Sequence, residues 1–162
     1  FASLPTVNLL YMLSWDVLGL EEIASYVTRK TDDFDEVGKF IDIDTVSNIY
    51  AHLNFAGCKQ ESFFRNGNFE AAYVGISTWK GRIGVVFEYR CLGNLEVYNA
   101  KDNADAKSQN GSSYYFGKIM IDTASGVLLR ADMTELVSGV IVNKKNKEIP
   151  QQKRRFVQLK MI

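Results

Sequence analysis

Between Asn68 and Leu92 the sequence runs Asn68–Trp79, then Lys80-Gly81, then Arg82–Leu92, and no other stretch limits the fold as much. Two alternating runs separated by a Lys-Gly pair read as a hairpin with a two-residue loop. Such a loop sets Thr78 opposite Ile83, Ile76 opposite Val85, Val74 opposite Phe87 and Ala72 opposite Tyr89. All four pairs are dominated by apolar groups and share one face. The reverse face pairs Trp79 with Arg82, Tyr73 with Glu88 and Ala71 with Arg90. A slip of one residue would mix the two sets. Turn length and hydrophobic pattern agree, so a two-stranded ribbon with its apolar face inward is expected.

A second hairpin is expected over Tyr114–Thr123, the loop Ala124-Ser125-Gly126, and Val127–Leu136, with Gly at the left-handed position. Its register sets Ile121 opposite Leu129, Ile119 opposite Ala131 and Gly117 opposite Met133, with a Lys118–Asp132 ion pair behind. Asn99–Ser113 reads as a polar loop. Ser138–Val142 and Arg155–Ile162 read as the last strands, joined by the Lys-rich turn Asn143–Lys153. Leu13, Val17, Leu20, Ala24 and Val27 recur at three- and four-residue spacing, which predicts an amphipathic helix over Ser14–Thr28 with Ser14 as N-cap. Thr6–Leu13 fits a helix or a strand, and Asp44–Leu53 a strand or a helical turn. Thr31–Glu36 is an acidic connector. No βαβ repeat is visible, so the sheet should be antiparallel. The expected fold is mainly β (α+β): a strongly curved antiparallel sheet or half barrel of about six to eight strands, with an N-terminal amphipathic helix packed on its concave face. It is read as one domain over 1–162, helical from about 7 to 30 and sheet from about 38 onward.

A chain of 162 residues can bury enough surface for a core without metal or disulfide staples. Its 12% aromatic share favours sheet. Net charge is zero, with 19 acidic and 19 basic residues, which gives no support to a nucleic-acid partner. The charges are segregated: Asp16–Asp44 holds nine acids to three bases, and Lys144–Lys160 seven bases to one acid. The basic segment reads either as a site for an anionic partner such as a membrane surface or as a solvated face. Leu9–Leu13, the longest apolar run near the start, is far shorter than the roughly 20 residues of a membrane span, so the chain is not expected to span one. It begins at Phe1, which reads as a processed or excised product. Cys58 and Cys91 leave two alternatives, one bridge or two buried thiols.

No catalytic, metal or cofactor site is expected. His52 is the single histidine, and its sequence neighbours Tyr50 and Leu53 supply no triad or zinc partner; a Cys58–His52 nucleophile pair would depend on spatial proximity. Asp42-Ile43-Asp44 and Asp102-Asn103-Ala104-Asp105 lack the spacing of an EF-hand loop. Glu70, Glu88, Asp122 and Asp132 could form a glycosidase-like pair only if two converge at the required separation. Gly81-Arg82-Ile83-Gly84 crosses a hairpin turn and is no phosphate loop. Asn110-Gly111-Ser112 is a formal N-glycosylation sequon in the expected polar loop. Tyr73, Phe87, Tyr89, Tyr114, Tyr115 and Phe116 read either as a surface for an apolar ligand or as core beneath the helix.

Asn8–Ala24 (NLLYMLSWDVLGLEEIA) and Tyr115–Met133 (YFGKIMIDTASGVLLRADM) resemble segments of uncharacterised bacterial envelope lipoproteins. The second is similar to the strand–turn–strand hairpin of those with a lipoprotein-carrier-like half barrel. The resemblance implies an exported protein of the cell envelope or periplasm, a curved sheet with a helix across its mouth, and carriage of an apolar ligand. The leading expectation is a non-enzymatic exported domain that binds a hydrophobic or lipid-like ligand in the bend of the sheet, at Val74, Ile76, Val85, Phe87, Tyr89, Ile119 and Ile121. The alternatives are a structural or protein-interaction domain of a larger cell-surface assembly, and a hydrolase using His52.

Overall fold

The computed structural model describes residues 6–52, 59, 61–99 and 106–161. Among these residues one helix, α1 (Thr6–Arg29), precedes a 3-10 turn at Thr31–Asp33 and eight strands. These are β1 (Ile41–Asp42), β2 (Tyr50–His52), β3 (Phe63–Arg65), β4 (Asn68–Trp79), β5 (Arg82–Asn99), β6 (Ala106–Asp122), β7 (Leu128–Asn143) and β8 (Glu148–Lys160). All pair antiparallel in one open sheet of order β1-β4-β5-β6-β7-β8. β3 pairs β5 beyond the end of β4, and β2 pairs β3.

The sheet is strongly curled. In a flat sheet β4 and β8 would lie roughly 19 Å apart, four spacings of about 4.8 Å. Instead Trp79 Nε1 at the end of β4 donates to the Met161 carbonyl just past β8, at 3.5 Å. Arg82 reaches Met161 Sδ at 3.1 Å, and the Arg130 guanidinium lies 5.7 Å from the Trp79 ring. Bare backbone accompanies the bend: a Cβ on Gly117 would meet the Asp132 carbonyl oxygen at 1.9 Å, and one on Gly139 would meet that of Asn110 at 2.4 Å.

One face of the sheet carries the core. Leu20, Ile23, Ala24 and Val27 of α1 are buried against Phe69, Ala71, Phe87, Tyr89, Ile119, Ile121, Ala131 and Met133. Each large aliphatic in this layer is worth roughly 1.5–3 kcal/mol of burial. The expected stripe is thus the packed one at Leu20, Ala24 and Val27. The helix, however, starts at Thr6, so Ser14 lies inside it and is not its N-cap.

The Lys80-Gly81 loop is as expected, both residues having positive φ (48° and 77°), and Trp79–Arg82, Thr78–Ile83 and Ile76–Val85 pair as read. Past them a bulge at Val74 adds one residue to β4, with Gly75 at φ 138°. The pairs expected further on are therefore replaced by Tyr73–Phe87, Ala72–Glu88, Ala71–Tyr89 and Glu70–Arg90. In the second hairpin Ile119–Ala131, Gly117–Met133 and Lys118–Asp132 pair as expected, but Ile121 faces Leu128, because the ladder shifts there and the fully buried Leu129 is the extra residue. The Lys118 ammonium turns away from Asp132 to Glu88 at 2.6 Å; Asp132 Oδ1 accepts the Lys118 backbone N–H instead.

Strands also run longer than read. β5 continues to Asn99 and β6 begins at Ala106, which puts the Asn110-Gly111-Ser112 sequon inside a strand. β7 is continuous to Asn143, and the Lys-rich turn shrinks to four residues before β8. Of the Asp44–Leu53 stretch, residues 44–52 form a turn followed by β2, and Leu53 lies outside the described residues.

Candidate functional site

The seven residues expected to line a ligand site do not share a cavity. Phe87, Tyr89, Ile119 and Ile121 are buried under α1, and Val85 packs at the edge of that layer. Val74 is the extra residue of the bulge, and Ile76 is 65% exposed near the hairpin tip. The Tyr89 hydroxyl crosses over Gly117 of β6 and donates to the Asp132 carbonyl on β7 at 2.8 Å. Burial pushes the Tyr89 hydroxyl well above its ordinary pKa, so it is a structural donor at any pH of interest.

Two grooves of the described surface lie elsewhere. The larger, about 650 Å³, runs between the last turns of α1 and the ends of β7 and β8. Ala24, Val127, Leu128, Leu159 and Met161 give it apolar walls, and Ser25, Thr28 and Gly126 complete them. The residue just before β7 is left partly open there, Val127 being 42% exposed. Arg29 and Lys160 stand at the rim with Glu21. Among the described residues neither cation has a carboxylate at ion-pair distance, and Arg29 lies 5.8 Å from the Tyr26 ring. The Thr28 hydroxyl is committed to the Ala24 carbonyl at 2.7 Å, leaving Ser25 as the uncommitted hydroxyl in the wall. A second, smaller groove of about 310 Å³ is lined by Lys59, Glu61, Asn99 and Ser108.

Beyond the end of the apolar layer the helix-side face becomes polar. The register sets Cys91, Tyr115, Glu135 and Arg155 in one row across β5 to β8. Glu135 is buried and accepts from Arg155 Nε at 3.0 Å. Asn94 Oδ1 accepts both the Gly67 backbone N–H and the Cys91 thiol. Burial pushes the Cys91 thiol up, so it is a poor nucleophile. Burial likewise raises Glu96, against the attraction of Lys153 and with repulsion from Glu135.

The strand carboxylates are occupied structurally. Glu70 pairs with Arg90, Glu88 with Lys118, and Asp122 with Arg82 and the Ser125 hydroxyl and amide. His52 sits in β2 opposite Phe63, its side chain outside the described part of the structure, as are Cys58 and Asp102–Asp105. Among the described residues no three His, Cys, Asp or Glu converge as a metal site, and no helix is long and apolar enough to cross a membrane.

Of the six aromatics singled out in the sequence, Tyr73, Phe87, Tyr89 and Tyr115 face the helix layer. Tyr114 and Phe116 stack on one another at 5.0 Å on the opposite face. The groove was missed because it depends on where α1 lies on the sheet, which no local sequence pattern reports. Comparison of the chain with protein-family models, curated proteins and solved structures finds no match in any of the three.

Proposed function

We propose that this chain is a non-enzymatic, exported binding domain whose ligand is an anionic, single-chain amphiphile, held in the groove beside α1 and not beneath it. The observation that carries this reading is the pairing of apolar walls (Leu128, Leu159, Met161) with two cations, Arg29 and Lys160, that have no ion-pair partner among the described residues. A volume of about 650 Å³ is in the range of small-molecule sites. An acyl chain would replace water over the apolar walls, and a carboxylate or phosphate head would meet the guanidinium and ammonium. The resemblance of the helix and the second hairpin to envelope lipoproteins supports the same reading and is the ground for the exported location.

The test is equilibrium binding of dodecanoate, kept below its micelle-forming concentration, with dodecanol as the uncharged comparison. Saturable 1:1 binding of the acid is expected, weakened roughly tenfold by Arg29→Glu with Lys160→Glu, the loss of about 1.4 kcal/mol of charge-assisted contact. Equal affinity for acid and alcohol, or indifference to the double charge reversal, would overturn it.

A further inference from the structure

The sheet face away from α1 carries a second feature, independent of the groove. On it Phe116, Thr134 and Phe156 form one cross-strand row, and Tyr114, Leu136 and Arg154 the next. Phe156 is 60% and Leu136 42% exposed, so apolar side chains stand out from this surface, and none of these residues lines either groove described above. From these rows the same face runs along β7 and β8 to the turn bearing Lys144, Lys145 and Lys147, all exposed. Between the rows and that turn Glu148 is the one described carboxylate on this face. On the other side stand Glu88, engaged by Lys118, and Asp132. Among the described residues the three lysines and Arg154 have no ion-pair partner.

We propose that this face docks on an anionic lipid surface, with Phe156 and Leu136 entering the headgroup region and the Lys144–Lys147 turn and Arg154 meeting lipid phosphates. The chemistry selects among occupants. A second copy added along β8 would bring Lys153, Arg154 and Arg155 against their own kind, and Pro150 lacks the N–H that a pairing strand needs. An exposed phenyl ring and leucine beside a cluster of Lys and Arg are the composition of a membrane-interface contact.

Co-sedimentation with phosphatidylcholine–phosphatidylglycerol vesicles, against pure phosphatidylcholine, reads this directly. Binding to the anionic vesicles alone is expected, falling as salt rises. It should drop at least about tenfold for Lys144→Glu with Lys145→Glu and also fall for Phe156→Ser. All three substitutions are at exposed positions, and the salt series on the native chain stands even if a variant misfolds. The groove variant Arg29→Glu with Lys160→Glu should bind vesicles like the native chain. No binding at low salt, equal binding to both vesicle types, or loss only in the groove variant would overturn the proposal; the first outcome would leave the face to a protein partner.

Discussion

Gly117→Ala tests the geometry that lets the sheet curl. The added methyl carbon would sit 1.9 Å from the Asp132 carbonyl oxygen and 2.9 Å from the Tyr89 hydroxyl. A tolerable carbon–oxygen contact is about 3.3 Å, so β6 and β7 would have to part locally by about 1.4 Å. That stretches neighbouring ladder bonds past the roughly 3.2 Å limit of a useful hydrogen bond and displaces the Tyr89–Asp132 bond of 2.8 Å. Losing about three such bonds at roughly 1 kcal/mol each gives a destabilisation of about 3 kcal/mol. With an m-value near 2 kcal/mol/M, the urea midpoint should fall by about 1.5 M. Tyr89→Phe should cost only about 1 kcal/mol. It should barely relieve Gly117→Ala, because the closer obstacle is backbone. A midpoint for Gly117→Ala within about 0.3 M of the native one, or full rescue by Tyr89→Phe, would refute the account of the bend.

Gly19→Ala should act the other way, since the new methyl meets nothing within 4 Å and the helix gains about 1 kcal/mol, seen as a higher urea midpoint. Glu96→Gln should stabilise at neutral pH: burial raises the carboxyl above its ordinary 4.5, so ionisation costs more in the folded than in the unfolded chain. That penalty is absent below pH 4.5 and grows as pH rises through the folded value, so native and variant midpoints should converge in acid; a constant difference would contradict the sign. Cys91 should stay unlabelled by iodoacetamide at pH 8 in the folded chain and react after unfolding, read by peptide mass mapping, because its thiol is buried and its ionisation disfavoured.

The parts of the fold visible in the sequence are those written in local pattern. The Lys80-Gly81 turn was legible because both loop residues need positive φ, and the α1 stripe because Leu20, Ala24 and Val27 repeat at helical spacing. The Val74 bulge was not, since an inserted residue leaves the alternation looking regular on either side of it. Its effect is large: Ala71 and Tyr73, read as the outer face, turn inward to oppose Tyr89 and Phe87. Asn99–Ser113 looked like a loop because Ser, Asn, Asp and Lys dominate it, yet the part from Ala106 is strand, its polarity suiting the stretch beyond the apolar layer. The seven apolar positions read as a ligand site are largely the seat of the helix. Pattern shows which side chains leave water, but not whether a helix or a ligand takes its place.

A spin-labelled fatty acid gives the most direct measurement, since paramagnetic broadening of backbone amide signals reports position. Bound doxyl-stearate should broaden amides of Ser25–Arg29, Gly126–Leu128 and Leu159–Met161 first, and reducing the label should restore them. Broadening centred on Phe87, Tyr89 and Ile119, or none at saturating ligand, would contradict a site beside the helix.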